Sequence, residues 1–169
     1  MSLSKIFCTS EIGLLKKVIV HRPDMGISRI SPKDAEELLF DDIVFLPQMQ
    51  KEHDIFTDVL KAFIGDENVL FIADLLEESL TADEIKKAEL IRMIVDYEEL
   101  PASFGNIFHR LDNKKLAEVL ITGYYEEEDH YFFDPIPNFI FTSDIAVVFK
   151  DHVIIIKAAK EARSRENFL

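Results

Sequence analysis

Lys16-Lys17-Val18-Ile19-Val20-His21-Arg22-Pro23 and Val69-Leu70-Phe71-Ile72 bracket the part of this sequence that decides its fold. Each is a short apolar run of strand length, the first stopped by a proline that cannot donate to a sheet ladder. Between them Pro47 opens a helical stretch in which Ile55, Val59, Ala62 and Phe63 recur at i, i+4, i+7 and i+8, one face of a helix. Strand, helix, strand is the order of a crossover unit, so the class is α/β. Two further elements are expected inside this region. Ser31-Pro32-Lys33-Asp34 has the make-up of a helix start, with the helix ending near Leu39, and Ile43-Val44-Phe45-Leu46 has the make-up of a strand.

From residue 74 to 123 the pattern is helical only. Thr81-Ala82-Asp83-Glu84 reads as a capping box ahead of Ile85, Ala88, Leu90-Ile91 and Ile94-Val95. Pro101 to Arg110 and Asp112 to Thr122 read as two shorter helices, the second stopped by Gly123. Tyr124 to Tyr131 is an acidic connection. Apolar runs then return at Phe139-Ile140-Phe141, Ala146-Val147-Val148-Phe149 and Val153-Ile154-Ile155-Ile156, with Lys150-Asp151-His152 suited to a hairpin turn between the last two. A final helix is expected from near Ala158. The division that follows is 1–73 (α/β), 74–123 (helical insertion) and 124–169 (α/β again).

Nineteen Lys and Arg against 32 Asp and Glu give a net charge of −13 over 169 residues. Such a chain lacks the cations that nucleic acids and anionic membranes recruit, so neither is expected as a partner. A hydrophobic share of 48% with 14 Phe belongs to a packed domain, not to a disordered acidic tail. Five Gly leave no Gly-rich phosphate loop, and one cysteine, Cys8, leaves no internal disulfide or Cys-cluster zinc site. The five histidines form no close ligand pair, so no metal is expected. The first ten residues lack the apolar core of a signal peptide, and no run nears the ~20 apolar residues of a membrane span. A cytoplasmic setting is the expectation. Taken alone, Asp144 in Phe141-Thr142-Ser143-Asp144 is a turn aspartate, and Arg163 and Arg165 are exposed helix charges.

Four segments in order resemble the arginine deiminase family. They are Ser10-Glu11-Ile12-Gly13 with Leu15 to Pro23; Glu37-Leu38-Leu39-Phe40-Asp41-Asp42 with Gln50-Lys51-Glu52-His53-Asp54; Lys115 to Gly123; and Pro135-Ile136-Pro137-Asn138-Phe139-Ile140-Phe141-Thr142-Ser143-Asp144 with Ala162-Arg163-Ser164-Arg165-Glu166. The resemblance implies a partial α/β propeller of the pentein type carrying an inserted all-helical bundle. It implies hydrolysis of L-arginine to L-citrulline and ammonia by a cysteine thiolate, a His that shuttles protons and acids that grip the guanidinium, with no cofactor. On that resemblance Asp144 binds the guanidinium, Asn138 and Arg163 lie at the substrate's amino-acid end, Phe141 walls the pocket and Leu39 belongs to a lid loop. Ser143 departs from the family, which has Arg there.

The second guanidinium-binding acid, the His-x-Asp pair and the nucleophilic Cys belong to the family's C-terminal half, which this sequence does not contain. Cys8 precedes the first strand and matches no catalytic position. The expectation is therefore an N-terminal portion of an arginine deiminase-like hydrolase, inactive alone, whose partner is the missing C-terminal half. Propeller modules without their neighbours expose apolar edges, which self-association into a homo-oligomer would cover. The alternative is a stand-alone, non-catalytic arginine-binding or assembly domain.

Overall fold

A computed structural model of the chain describes residues 6–33 and 35–169. The expected crossover unit is present. Strand β1 (Val18–Val20) pairs in parallel with β2 (Val69–Phe71), with Val18 opposite Val69 and Val20 opposite Phe71. The short helix α1 (Met25–Ser28), capped by Asp24, follows β1, and α2 (Leu46–Ile64) makes the long return, with Pro47 in its first turn where a missing N–H costs nothing. Arg22 clamps β1 to α2 through two hydrogen bonds to Asp54, of 2.7 and 2.9 Å.

Helices α3 (Ile72–Ala82), α4 (Glu84–Tyr97), α5 (Ser103–Arg110) and α6 (Asn113–Thr122) follow without an intervening strand. Their inner faces make the main core. Leu80, Ile91, Phe108, Leu116 and Leu120 are fully enclosed, and Phe132, Phe133 and Phe139 join them from beyond α6. Phe108 meets Phe132 edge to face at 5.0 Å. A small second core gathers Ile27, Ile30, Ala35 and Leu38 beneath α1.

Gly123 ends α6 at φ 70°, and a Cβ there would come within 2.1 Å of the Phe133 carbonyl oxygen. The acidic connection folds as a tight hairpin of β3 (Tyr124–Tyr125) and β4 (His130–Tyr131). Strands β5 (Ala146–Phe149) and β6 (His152–Ile155) form the expected antiparallel hairpin around Lys150 and Asp151. Cys8 bridges to Lys150 at its tip through paired backbone hydrogen bonds of 2.9 and 2.7 Å. The described residues thus hold three separate two-stranded sheets beside a helical core, an α/β architecture without a closed propeller.

Several local expectations are corrected. Residues 35–39 turn without becoming a helix, ending with Leu39 at φ 64°; Asp34, part of the expected helix start, lies outside the described residues. Ile43-Val44-Phe45 is irregular and Leu46 already belongs to α2, because no neighbouring strand offers it a ladder. The cap of α4 is Asp83, which accepts from the amides of Ile85 and Lys86, whereas the Thr81 hydroxyl donates back to Glu77 within α3. Phe139-Ile140-Phe141 is not a strand. Pro137 to Ile140 and Thr142 to Asp144 are successive 3₁₀ turns, as is Glu161 to Asn167 where an α-helix was expected from Ala158. The apolar face of α2 is exposed, with Phe63 at 83% and Ile55 and Val59 also open.

Two glycine substitutions should move stability in opposite directions. Gly123→Ala forces a left-handed alanine into the Phe133 carbonyl and should cost at least about 1–3 kcal/mol, read as a fall in melting temperature. Gly105→Ala, inside α5 with only Val95 near at 3.9 Å, should raise stability by about 0.5–1 kcal/mol.

Candidate functional site

Asp144, Arg163, Asn138 and Phe141 come together because two 3₁₀ turns are chained. The Phe141 amide donates to the Asn138 carbonyl at 2.9 Å, and the Asp144 amide donates to the Phe141 carbonyl at 3.0 Å. This run is anchored at both ends. The Asn138 side chain, itself buried, donates to the Leu38 carbonyl at 2.7 Å, and the Thr142 hydroxyl donates to the Ile19 carbonyl at 2.9 Å. The first bond ties the site to the turn that carries Leu39, the second to β1.

Arg163 reaches the run from the C-terminal 3₁₀ helix. Its Nη1 donates to Asp144 Oδ2 at 2.7 Å, and its Nη2 lies 3.5 Å from the Asn138 carbonyl oxygen. The other edge of the guanidinium belongs to Glu166: Nη2 donates to Oε2 at 2.8 Å, and Nε lies 3.1 Å from both carboxylate oxygens. A 3₁₀ helix has three residues per turn, so Arg163 and Glu166 stand one above the other. Asp144 is half exposed at 50%, Arg163 mostly covered at 16% and Glu166 enclosed at 3%.

Burial acts to lower the Arg163 guanidinium's ordinary value, but Glu166 and Asp144 together outweigh it and the net shift is upward. Burial likewise pushes the Glu166 carboxyl up, against the pull of Arg163. Ser143, where a cation was expected from the resemblance, only touches Asp144 Oδ1 at 3.5 Å.

Arg165 fixes the C-terminal helix in place. It is buried, its Nη1 pairs with Glu98 beyond the end of α4, its Nη2 donates to the Asp134 carbonyl, and its guanidinium lies 4.3 Å from the Phe133 ring centroid. Burial draws its value down, with Glu98 opposing.

The structure therefore brings Arg163 onto Asp144 and beside the Asn138 backbone carbonyl, with the Asn138 side chain turned to Leu38, Phe141 in the connecting turn, half exposed, and Leu39 one residue from the Asn138 anchor. Glu166 was not singled out by the sequence reading, and Arg163 and Arg165, read from the residues alone as exposed helix charges, are instead mostly covered and buried, respectively. The Arg163-to-Glu166 spacing of three was the available signal for Glu166; nothing local marked Arg165 as buried. Cys8 stands apart, its Sγ 3.6 Å from the Ser10 carbonyl oxygen. Among the described residues no group of three or more His, Cys, Asp and Glu could hold a metal ion, and no helix is long and apolar enough to cross a membrane.

These features define an α/β chain with four consecutive helices between its strands and a carboxylate-lined guanidinium contact. The family model for arginine deiminase matches residues 36–169, and the chain belongs to the arginine deiminase family. Curated relatives named arginine deiminase include those of Listeria monocytogenes serotype 4a (33% identical over 94% of this chain and 43% of the relative), Latilactobacillus sakei (32%, over 97% and 44%) and Mycolicibacterium gilvum (30%, over 100% and 47%). The chain spans less than half the length of these relatives.

Arg165→Met removes one partner of a buried charge pair and leaves Glu98 facing a desolvated pocket. It should cost on the order of 3–5 kcal/mol in urea unfolding. Glu166 supplies a pH test. Its folded carboxyl value is raised, so between the unfolded and folded values the folded state binds the extra proton. The stability of the native chain relative to Glu166→Gln should therefore fall as pH rises from the ordinary glutamate range through the raised value. A difference independent of pH from 4 to about 7 would show that Glu166 titrates alike folded and unfolded.

Proposed function

We propose that this chain supplies the guanidinium-gripping portion of an arginine-hydrolysing site that converts L-arginine to L-citrulline and ammonia. The observation that carries the reading is the meeting of Asp144, Arg163 and Asn138 in a chain of the arginine deiminase family. A planar cation with five N–H donors calls for carboxylates that accept in a fork, and Asp144 presents a half-exposed one. Arg163 offers the opposite charge for the substrate carboxylate. Asn138 lies with Arg163 at the substrate's amino-acid end and ties down the turn that carries Leu39, and Phe141 provides an apolar wall.

Hydrolysis replaces one terminal C–N bond of the guanidinium by C=O from water. The thiolate that would attack the carbon and the His-x-Asp pair that would move protons are partners to this chain, on the remaining half of a relative's length; no cofactor enters the chemistry. The fold reading is a partial pentein-type propeller divided at 1–73, 74–123 and 124–169, in a cytoplasmic setting. The open apolar residues of β5, β6 and α2 favour association, either with that remaining half or in a homo-oligomer. They are also what favours the second reading, a non-catalytic arginine-binding or assembly chain.

Alone, the protein should release no citrulline from arginine above a no-enzyme control, and turnover surviving Cys8→Ser would overturn the assignment of the nucleophile to another segment. Combined with the remaining portion of a relative and active, Asp144→Ala should lose on the order of 2–5 kcal/mol in kcat/KM, or roughly 30- to several-thousand-fold. Asp144→Asn should lose nearly as much, because an NH2 group then faces a donor. Near-normal kcat/KM in Asp144→Asn would leave Asp144 a turn residue. Micromolar, Asp144-dependent arginine binding by the isolated chain would favour the second reading.

A further inference from the structure

Polar groups close the joint between β1 and α2. Arg22 takes both carboxylate oxygens of Asp54, and the Gln50 side chain donates to the Pro23 carbonyl at 2.9 Å. One residue before Arg22, His21 is enclosed at 5%; its Nε2 lies 3.0 Å from Asp24 Oδ2, and its ring is tilted against Phe139 at 5.3 Å. His53, one residue before Asp54 on α2, is served differently. Its Nδ1 is enclosed and has no hydrogen-bond partner among the described residues. Asp54 beside it is already committed to Arg22, and the charged groups that act on it from across the joint are His21 and Arg22. Asp24, at the cap of α1, is turned to His21.

A neutral imidazole fits this place, because Nδ1 can be left as a bare lone pair. The cation does not fit. Both of its ring nitrogens carry N–H, and one would point where no acceptor stands. We propose that the joint between β1 and α2 is an acid-sensitive latch, in which one proton on His53 sets an unanswered cation beside His21 and Arg22 and frees α2 from the strand. Burial, first, draws the His53 imidazole below its ordinary value; Asp54 opposes this, and His21 and Arg22 add to it. His53 therefore takes its proton more readily with α2 released than docked. The docked state has its full advantage above the ordinary histidine value and loses it as pH falls below that value. Arg22 holds the Asp54 carboxyl below its ordinary range, so the clamp itself stays charged while His53 titrates. β1 also carries the Ile19 carbonyl that accepts from Thr142, so the turn leading to Asp144 hangs from the same strand. Acid loosens α2 and that turn together, whatever Asp144 binds.

Amide hydrogen exchange on the chain at pH 7.5 and 5.0, divided by the intrinsic rate at each pH, reads the latch, because a helix owes most of its protection to docking. Opening constants of the α2 amides should rise about five- to thirtyfold on acidification. One unanswered buried donor sets the lower figure, and the proton uptake of an ordinary histidine across this range sets the upper. The α6 amides in the main core should change less; an equal rise there is global unfolding and overturns the latch. In His53→Gln and His53→Leu the acid step at α2 should vanish. Glu166 and the other histidines titrate in native and variant chains alike, so they cancel in the difference. No step in the native chain, or a step that persists in either variant, overturns the inference. Should both variants fail to fold, the native chain still decides it by NMR: a His53 ring that titrates at or above the ordinary histidine value, with α2 docked throughout, overturns the latch, and one that titrates below it together with the loss of α2 protection supports it.

Discussion

Arg165 cannot shed its charge, and it is buried. Everything around the Asp144 site follows from how that charge is accommodated. An arginine this enclosed needs a carboxylate, further acceptors and a polarisable surface; the chain supplies Glu98 just after α4, the Asp134 carbonyl and the face of Phe133, while Nε is left without a hydrogen-bond partner among the described residues. Those partners belong to the helical core, so the C-terminal segment is pinned to it. Phe168 adds an edge-to-face contact with Tyr97 at 5.1 Å. Once Arg165 is fixed, the 3₁₀ geometry leaves little choice for its neighbours: Arg163 and Glu166 are set on one side of the segment, over Asp144.

The site is accordingly suspended between two bodies. Arg165 ties one wall to the helices, while Thr142 and Asn138 tie the other to β1 and to the turn holding Leu39. The contact between Arg163 and Asp144 closes the gap between the walls. Since Asp144 is half in water, this closing contact is worth little by itself, on the order of 0–1 kcal/mol. The walls stand because of their separate anchors and not because of the contact between them.

What the sequence showed depended on whether the signal was local. β1, β2 and the crossover helix α2, the run of helices from α3 to α6, the stop at Gly123 and the β5–β6 hairpin all carry their cause within a few residues, whereas α1 was not read from the sequence. Phe139-Ile140-Phe141 misled because apolar runs look alike in strands and in buried turns. Here Pro135 and Pro137 remove two amide donors and the run coils into the core. Ile43 to Leu46 misled for want of a partner strand, a fact that no local pattern records. The face of α2 has perfect helical spacing yet lies open, because periodicity announces a face and not what covers it. At the site, Asp144, Asn138, Phe141, Arg163 and Leu39 were named through resemblance, which carries positions but not contacts. That Asn138 uses its amide on Leu38, and that Arg163 is shared with Glu166, required coordinates.

Charge explains why an occupied acceptor can still attract a ligand. Asp144 and Glu166 contribute two negative charges against the single positive charge of Arg163, so the cluster keeps one negative charge in excess. The whole chain carries −13, and a cation approaching this cluster meets a favourable field before it touches Asp144. An incoming guanidinium makes the cluster neutral. Arg163 remains on Glu166, so the cluster as a whole carries no uncompensated charge. An amino acid with a guanidinium side chain brings both charges at once. A simple alkylamine would bring the cation without the fork, and a carboxylate alone would meet the excess negative charge and no free donor. On the proposed reading, the excess negative charge draws the cation end of a ligand toward Asp144, and the fork of two acceptor oxygens, which an alkylamine cannot match, is what selects a guanidinium there.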